Sequence, residues 1–128
     1  VRAIVMDDSR VVRLMLRRVL EALRFEVLDF PDAVAGLAWL TEGGAADLAL
    51  VDWNMPGMTG LEFIRHVRTL SAHDQMFLVM VTSETAPERM AEALDAGADE
   101  YVMKPVVAEG LREKLELLGF RWDEGAST

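Results

Sequence analysis

Apolar residues in this chain gather in short unbroken runs, and each run stops on a residue that carries a charge or a hydroxyl. Residues 3–6 (AIVM) stop at Asp7-Asp8, the apolar part of 47–51 (DLALV) at Asp52, 76–81 (MFLVMV) at Thr82, and the apolar part of 99–103 (DEYVM) at Lys104-Pro105. A strand with one wet face alternates apolar and polar residues, whereas an unbroken run needs apolar cover on both sides. Helices must therefore pack on both faces of whatever sheet these runs build.

The intervening segments supply them. After Ser9, a candidate N-cap, Val12, Met15, Leu16, Val19, Leu20 and Leu23 keep i, i+3, i+4, i+7 spacing, with Arg10, Arg13, Arg17, Glu21 and Arg24 opposite. Residues 25–30 mix Glu26 and Asp29 with apolar side chains, as an edge strand does, and Pro31-Asp32 opens a second helix carrying Leu37, Trp39 and Leu40. Gly43-Gly44 ends it. Pro56-Gly57 marks a turn, and Thr59 and Glu62 have capping-box spacing ahead of Phe63, Ile64 and Val67. Thr85 and Glu88 repeat that spacing, with Pro87 in the first turn and Gly97 as the stop. Leu111, Leu115 and Leu118 give a final helix its stripe. Trp39 and most of the eight methionines read as core.

Five strands alternating with five helices predict an α/β domain built on a doubly wound parallel sheet. A chain of 128 residues, 52% hydrophobic, is long enough for one core, so residues 1–120 are expected to form one domain, with 121–128 a polar tail or the start of a linker. A net charge of −9 argues against direct contact with nucleic acid or an anionic membrane surface. The absence of cysteine excludes disulfides, thiolate catalysis and cysteine zinc sites, and fits a reducing compartment. No stretch approaches the ~18 apolar residues of a membrane span, and Arg2, Asp7 and Asp8 make the N-terminus unlike a signal peptide. A soluble, cytoplasmic protein is expected.

Ligands of doubly wound sheets bind at the carboxyl ends of the strands near the topological switch point. Asp7, Asp8, Asp52, Thr82 and Lys104 all stand at such ends. Taken singly, each has a plainer reading: a helix cap, a strand-end hydroxyl, a solvated charge. Together, three carboxylates at one edge repel one another unless a hard cation or a shared proton relieves them, and with Lys104 beside them Mg²⁺ is favoured. A carboxylate can also act as a nucleophile and form an acyl phosphate. Phosphoryl transfer needs mainly positioning and charge neutralisation, which a cation, an ammonium and a hydroxyl provide.

The stretches Asp7-Asp8, 52–60 (DWNMPGMTG), 82–84 (TSE) and 97–105 (GADEYVMKP) resemble, in order and spacing, the CheY-like receiver domains of two-component response regulators, over residues 2–119. The resemblance implies strand order 2-1-3-4-5. It implies that Asp52 accepts a phosphoryl group from the phosphohistidine of a histidine kinase or phosphotransfer protein. Asp8, Asp52 and the Asn54 carbonyl would bind Mg²⁺, with Asp7 acting through water. Lys104 and Thr82 would contact the phosphoryl group, and Tyr101 would turn inward as Thr82 moves. Asn54 and Glu84 occupy positions that tune hydrolysis, here toward fairly quick self-dephosphorylation, and the Lys104-Pro105 bond would be cis. Output would pass to a protein partner through a face holding Met90, Tyr101 and Lys114. Val106 departs from the pattern where relatives often carry a larger apolar residue, which bears on that output face.

Three other readings compete. The chain is then a receiver cut from a larger regulator or hybrid kinase, a phosphorylation-independent adaptor, or a Mg²⁺-dependent phosphatase with an aspartate nucleophile. Asn54 counts against the last, since haloacid-dehalogenase-like phosphatases place an acid two residues after the nucleophile. The cluster Arg10, Arg13, Arg17, Arg18 and Arg24 reads equally as a solvated helix face or as a docking surface for an acidic phosphodonor.

Overall fold

A computed structural model of the chain describes residues 1–83 and 86–121. Five parallel strands, β1 (Arg2–Met6), β2 (Glu26–Phe30), β3 (Leu48–Asp52), β4 (Phe77–Thr82) and β5 (Glu100–Met103), form one sheet in the order β2-β1-β3-β4-β5. Among the described residues the helices are α1 (Arg10–Ala22), α2 (Ala33–Thr41), α3 (Gly60–Val67), α4 (Pro87–Ala96) and α5 (Ala108–Leu117), with a 3-10 turn at Ser71–His73. Order and element count are those expected, and β2 is an edge. Among the described residues no helix is long and apolar enough to cross a membrane.

The unbroken apolar runs resolve into two interleaved stripes. Ala3, Val5, Leu48, Leu50, Val79, Val81 and Val102 pack against Leu16 and Leu20 of α1 and Leu111 and Leu115 of α5. Ile4, Met6, Ala49, Val51, Leu78, Met80 and Tyr101 pack against α2, α3 and α4. Successive side chains of a strand point to opposite faces, so a run that must fill two cores cannot show alternation. Right-handed crossovers then fix which helix lies on which side, and the winding reverses between β1 and β3.

Helix starts follow the sequence closely. Ser9 Oγ accepts from Val12 N at 3.2 Å, Asp32 Oδ1 from Ala35 N at 2.8 Å, and Thr59 and Glu62 form a reciprocal capping box. α4 differs from expectation: it begins at Pro87 with Ala86 at the cap position and no side-chain cap, while Thr85 and Glu84 lie outside the described residues. At the other pole Phe120 packs edge-on against Phe25 and Phe77, at 5.4 and 5.2 Å between ring centroids.

Arg68, at the C-terminal cap of α3, fastens that pole. Its guanidinium donates to Gly97 O (3.0 Å), Met76 O (3.0 Å) and Asp99 Oδ2 (2.7 Å), and the same Asp99 oxygen accepts from Leu78 N. Arg68→Ala strands two carbonyls and a carboxylate, and is expected to cost about 2–3 kcal/mol by urea unfolding. Because the acidic cluster lies at the opposite edge, Mg²⁺ titrations of this variant should match the wild type.

Candidate functional site

Side chains from the C-terminal ends of β1 and β3 and from just beyond β5 meet at the reversal point of the sheet. Asp7 follows β1 and is 1% exposed, Asp52 closes β3 at 6%, and Asp8 is exposed at the rim. One carboxylate oxygen from each of Asp7, Asp8 and Asp52 lies within 4.8 Å of the others. Lys104, just beyond β5, reaches into the cluster, its Nζ 2.9 Å from Asp7 Oδ2 and 3.2 Å from Asp52 Oδ1. The Lys104-Pro105 peptide bond is cis, as expected, and Lys104 N donates to Thr82 O at 2.9 Å.

Charge dominates here. Burial, reinforced by the Asp7 carboxylate, pushes the Asp52 carboxyl above the usual carboxylate range despite Lys104. Burial works against the Lys104 ammonium too, but the neighbouring Asp7 and Asp52 outweigh it and hold its pKa above that of an ordinary lysine. Asp7 Oδ1 accepts from Ser9 N at 2.9 Å, whereas Oδ2 is buried with the ammonium as an ion-pair neighbour and no aligned hydrogen bond. A buried carboxylate oxygen with an ion-pair neighbour but no aligned hydrogen bond, in a set of hard oxygens open on one side, fits a hard divalent cation such as Mg²⁺.

Thr82 closes β4 and is fully buried, opposite Met103 in register. Asn54 is exposed in the turn after β3, and Glu84 lies outside the described residues. Tyr101 is 5% exposed and packed in the α2–α4 core. Met90 is partly buried beside it, and Lys114 pairs with Glu100 at 3.3 Å. Trp53 is buried directly after Asp52, with the Arg89 guanidinium 5.4 Å from its ring centroid.

Three expectations change. Met15 is 48% exposed rather than part of the buried stripe. It lines a groove of about 330 Å³ between Val12, Met15 and Val19 of α1 and the segment Lys104-Pro105-Val106. Val106 thus bears on α1, not on the Tyr101 face. The arginine cluster divides: Arg13 and Arg17 both bind Asp29 of β2, at 3.0 and 2.7 Å, and Arg17 also reaches Glu21, whereas Arg10, Arg18 and Arg24 are exposed.

Comparison with known proteins agrees with this geometry. The family model of the response regulator receiver domain matches residues 3–116, and the chain belongs to that family. It is similar to a chemotaxis protein CheY homolog of Campylobacter jejuni, 35% identical with 98% of each chain covered. Its fold is similar to that of the Vibrio cholerae chemotaxis protein CheY4, with TM-score 0.84, 33% identity, and 91% and 96% of the two chains covered. A longer relative, the cyclic di-GMP phosphodiesterase response regulator RpfG of Xanthomonas campestris, is 37% identical over 87% of this chain but only 30% of its own length.

Proposed function

We propose that this receiver domain is a phosphorylation-controlled protein switch. Asp52 accepts a phosphoryl group from the phosphohistidine of a histidine kinase or phosphotransfer protein, and the change alters binding to a protein partner. The observation that carries this reading is the convergence of Asp7, Asp8, Asp52 and Lys104 from three strands on one site. An Asp52 oxygen attacks phosphorus in line. A P–O bond forms, the P–N bond breaks, and its electron pair returns to the imidazole. Water later cleaves the acyl phosphate to regenerate the carboxylate. Each molecule reacts with itself as acceptor, so this is not turnover of a substrate.

Asp7, Asp8, Asp52 and the Asn54 backbone would hold Mg²⁺, which when bound supplies positive charge to the phosphoryl oxygens. Lys104 would hold one of those oxygens as a point charge, and the Thr82 hydroxyl would donate to another. The α1 groove is the docking place for the phosphodonor: exposed Met15 lines it with Val12 and Val19, and Lys104, on its other wall, reaches Asp52. Output passes through the α4–β5–α5 face around Tyr101.

A second reading concerns context. RpfG carries its matching segment within a much longer chain, so the domain of residues 1–120 is equally suited to serve as one module of a larger regulator.

The test is incubation with acetyl phosphate and Mg²⁺, followed by intact mass and Trp53 fluorescence. Wild type gains one phosphoryl group and changes emission; Asp52→Asn does neither. A variant that is still phosphorylated at the wild-type rate refutes the assignment.

A further inference from the structure

The Asp7 main chain is held from outside the cluster. Its N–H donates to Phe30 O at 3.3 Å, and its carbonyl accepts from Arg13 Nη1 at 2.7 Å. Arg13 is itself anchored: its side chain is 16% exposed, and its Nε donates to Asp29 Oδ2 at 3.0 Å. The other oxygen of Asp29 accepts from Arg17 Nη2 at 2.7 Å. One rigid guanidinium therefore spans from the edge strand to the backbone of the residue whose carboxylate Oδ2 points into the pocket.

We propose that Arg13, braced by Asp29, is a positioning residue that sets the orientation of the Asp7-Asp8 turn and thereby the affinity of the carboxylates for a divalent cation. Groups that hold metal ligands in place without touching the metal commonly contribute ten- to a hundredfold to affinity. This inference rests on the Mg²⁺ reading given above.

The sign of the effect separates this role from a simple charge effect. Arg13 is a cation near a cation site, so removing it for its charge alone tightens Mg²⁺ binding. Removing a brace weakens binding.

Arg17 provides the matched control. It carries the same charge on the same helix and binds the same Asp29, but makes no bond to Asp7 in the hydrogen bonds described here.

Titration of Mg²⁺ by calorimetry into wild type, Arg13→Gln, Arg13→Lys and Arg17→Gln decides the matter, with circular dichroism confirming that each variant is folded. Arg13→Gln is expected to bind about tenfold more weakly. Arg13→Lys should fail to restore affinity, because an ammonium cannot reach both partners in the guanidinium's geometry. Arg17→Gln is expected to change affinity less than about twofold. Unchanged or tighter binding by folded Arg13→Gln overturns the positioning role while leaving the metal reading intact, as does equal weakening by Arg17→Gln. A wild type that binds no Mg²⁺ overturns the metal reading and this inference with it.

Discussion

In chelator at neutral pH, Lys104→Met is expected to unfold with about 2–3 kcal/mol less stability than wild type, and saturating Mg²⁺ to return most of that loss. The ammonium is the neighbour of two buried carboxylates, at 2.9 and 3.2 Å, and methionine keeps the apolar stem that lines the α1 groove. Breaking a buried pair from one side typically costs about 3–5 kcal/mol, and the partial exposure of Lys104 trims that figure. A divalent cation replaces the missing charge, and it binds more tightly once the competing ammonium is gone.

The pH dependence has a definite sign. Asp52 already titrates above the ordinary range because it is buried and faces Asp7, so the native state holds its proton more strongly than the unfolded chain does. Its contribution therefore becomes less favourable as pH rises from the unfolded carboxylate value, about 4, through the raised native value. Removing Lys104 pushes the native value higher still. The deficit of Lys104→Met should be full above that value, shrink as pH falls through it, and vanish below about pH 4. Thermal unfolding across pH, with and without Mg²⁺, measures this directly. A Mg²⁺ increment no larger than that of wild type would sink the argument.

Gly60→Ala is expected to cost about 3 kcal/mol and to disturb the site at the same time. A methyl group built on Gly60 falls on the carbonyl oxygen of Asp52 and approaches the Trp53 Cα to 3.1 Å. Those atoms are backbone and cannot rotate away. Gly60 N also donates to Trp53 O at 2.8 Å, which ties the start of α3 beneath the end of β3. Any relief must shift either the strand carrying Asp52 or the capping box at Thr59. Gly110, in α5, is the contrast: an added methyl meets nothing within 4 Å, and Gly110→Ala should stabilise by about 0.5–1 kcal/mol. Denaturant midpoints of the two variants should move in opposite directions.

The sheet, its winding and the acidic cluster were legible because they depend on where apolar runs stop, which is written in consecutive residues. Ser9, Asp32 and Thr59 as caps were equally local. What escaped depended on elements distant in sequence. A helical wheel separates Arg13 and Arg17 from the leucines of α1, but only the packing of α1 across β2 reveals that Asp29 stands between them. A hint existed in Asp29 itself, an acid set between Leu28 and Phe30 in the edge strand. Met15 fits the helical stripe, yet it lies exposed along the groove that Pro105 and Val106 line from the other side. The burial of Tyr101 likewise follows from which core its strand position serves.

That two-sided packing has a consequence for signalling, best put as parity. Asp52 continues the stripe of Leu48 and Leu50, and Lys104 lines the α1 groove beyond Val102, so the charged groups share the α1–α5 parity. Thr82 continues the stripe of Met80, and Tyr101 belongs to the same α2–α4 parity. A message that begins on Asp52 and ends at Tyr101 must therefore change parity. Along the rim between them, the short link is the bond from Lys104 N to Thr82 O, where residues of opposite parity on neighbouring strands touch.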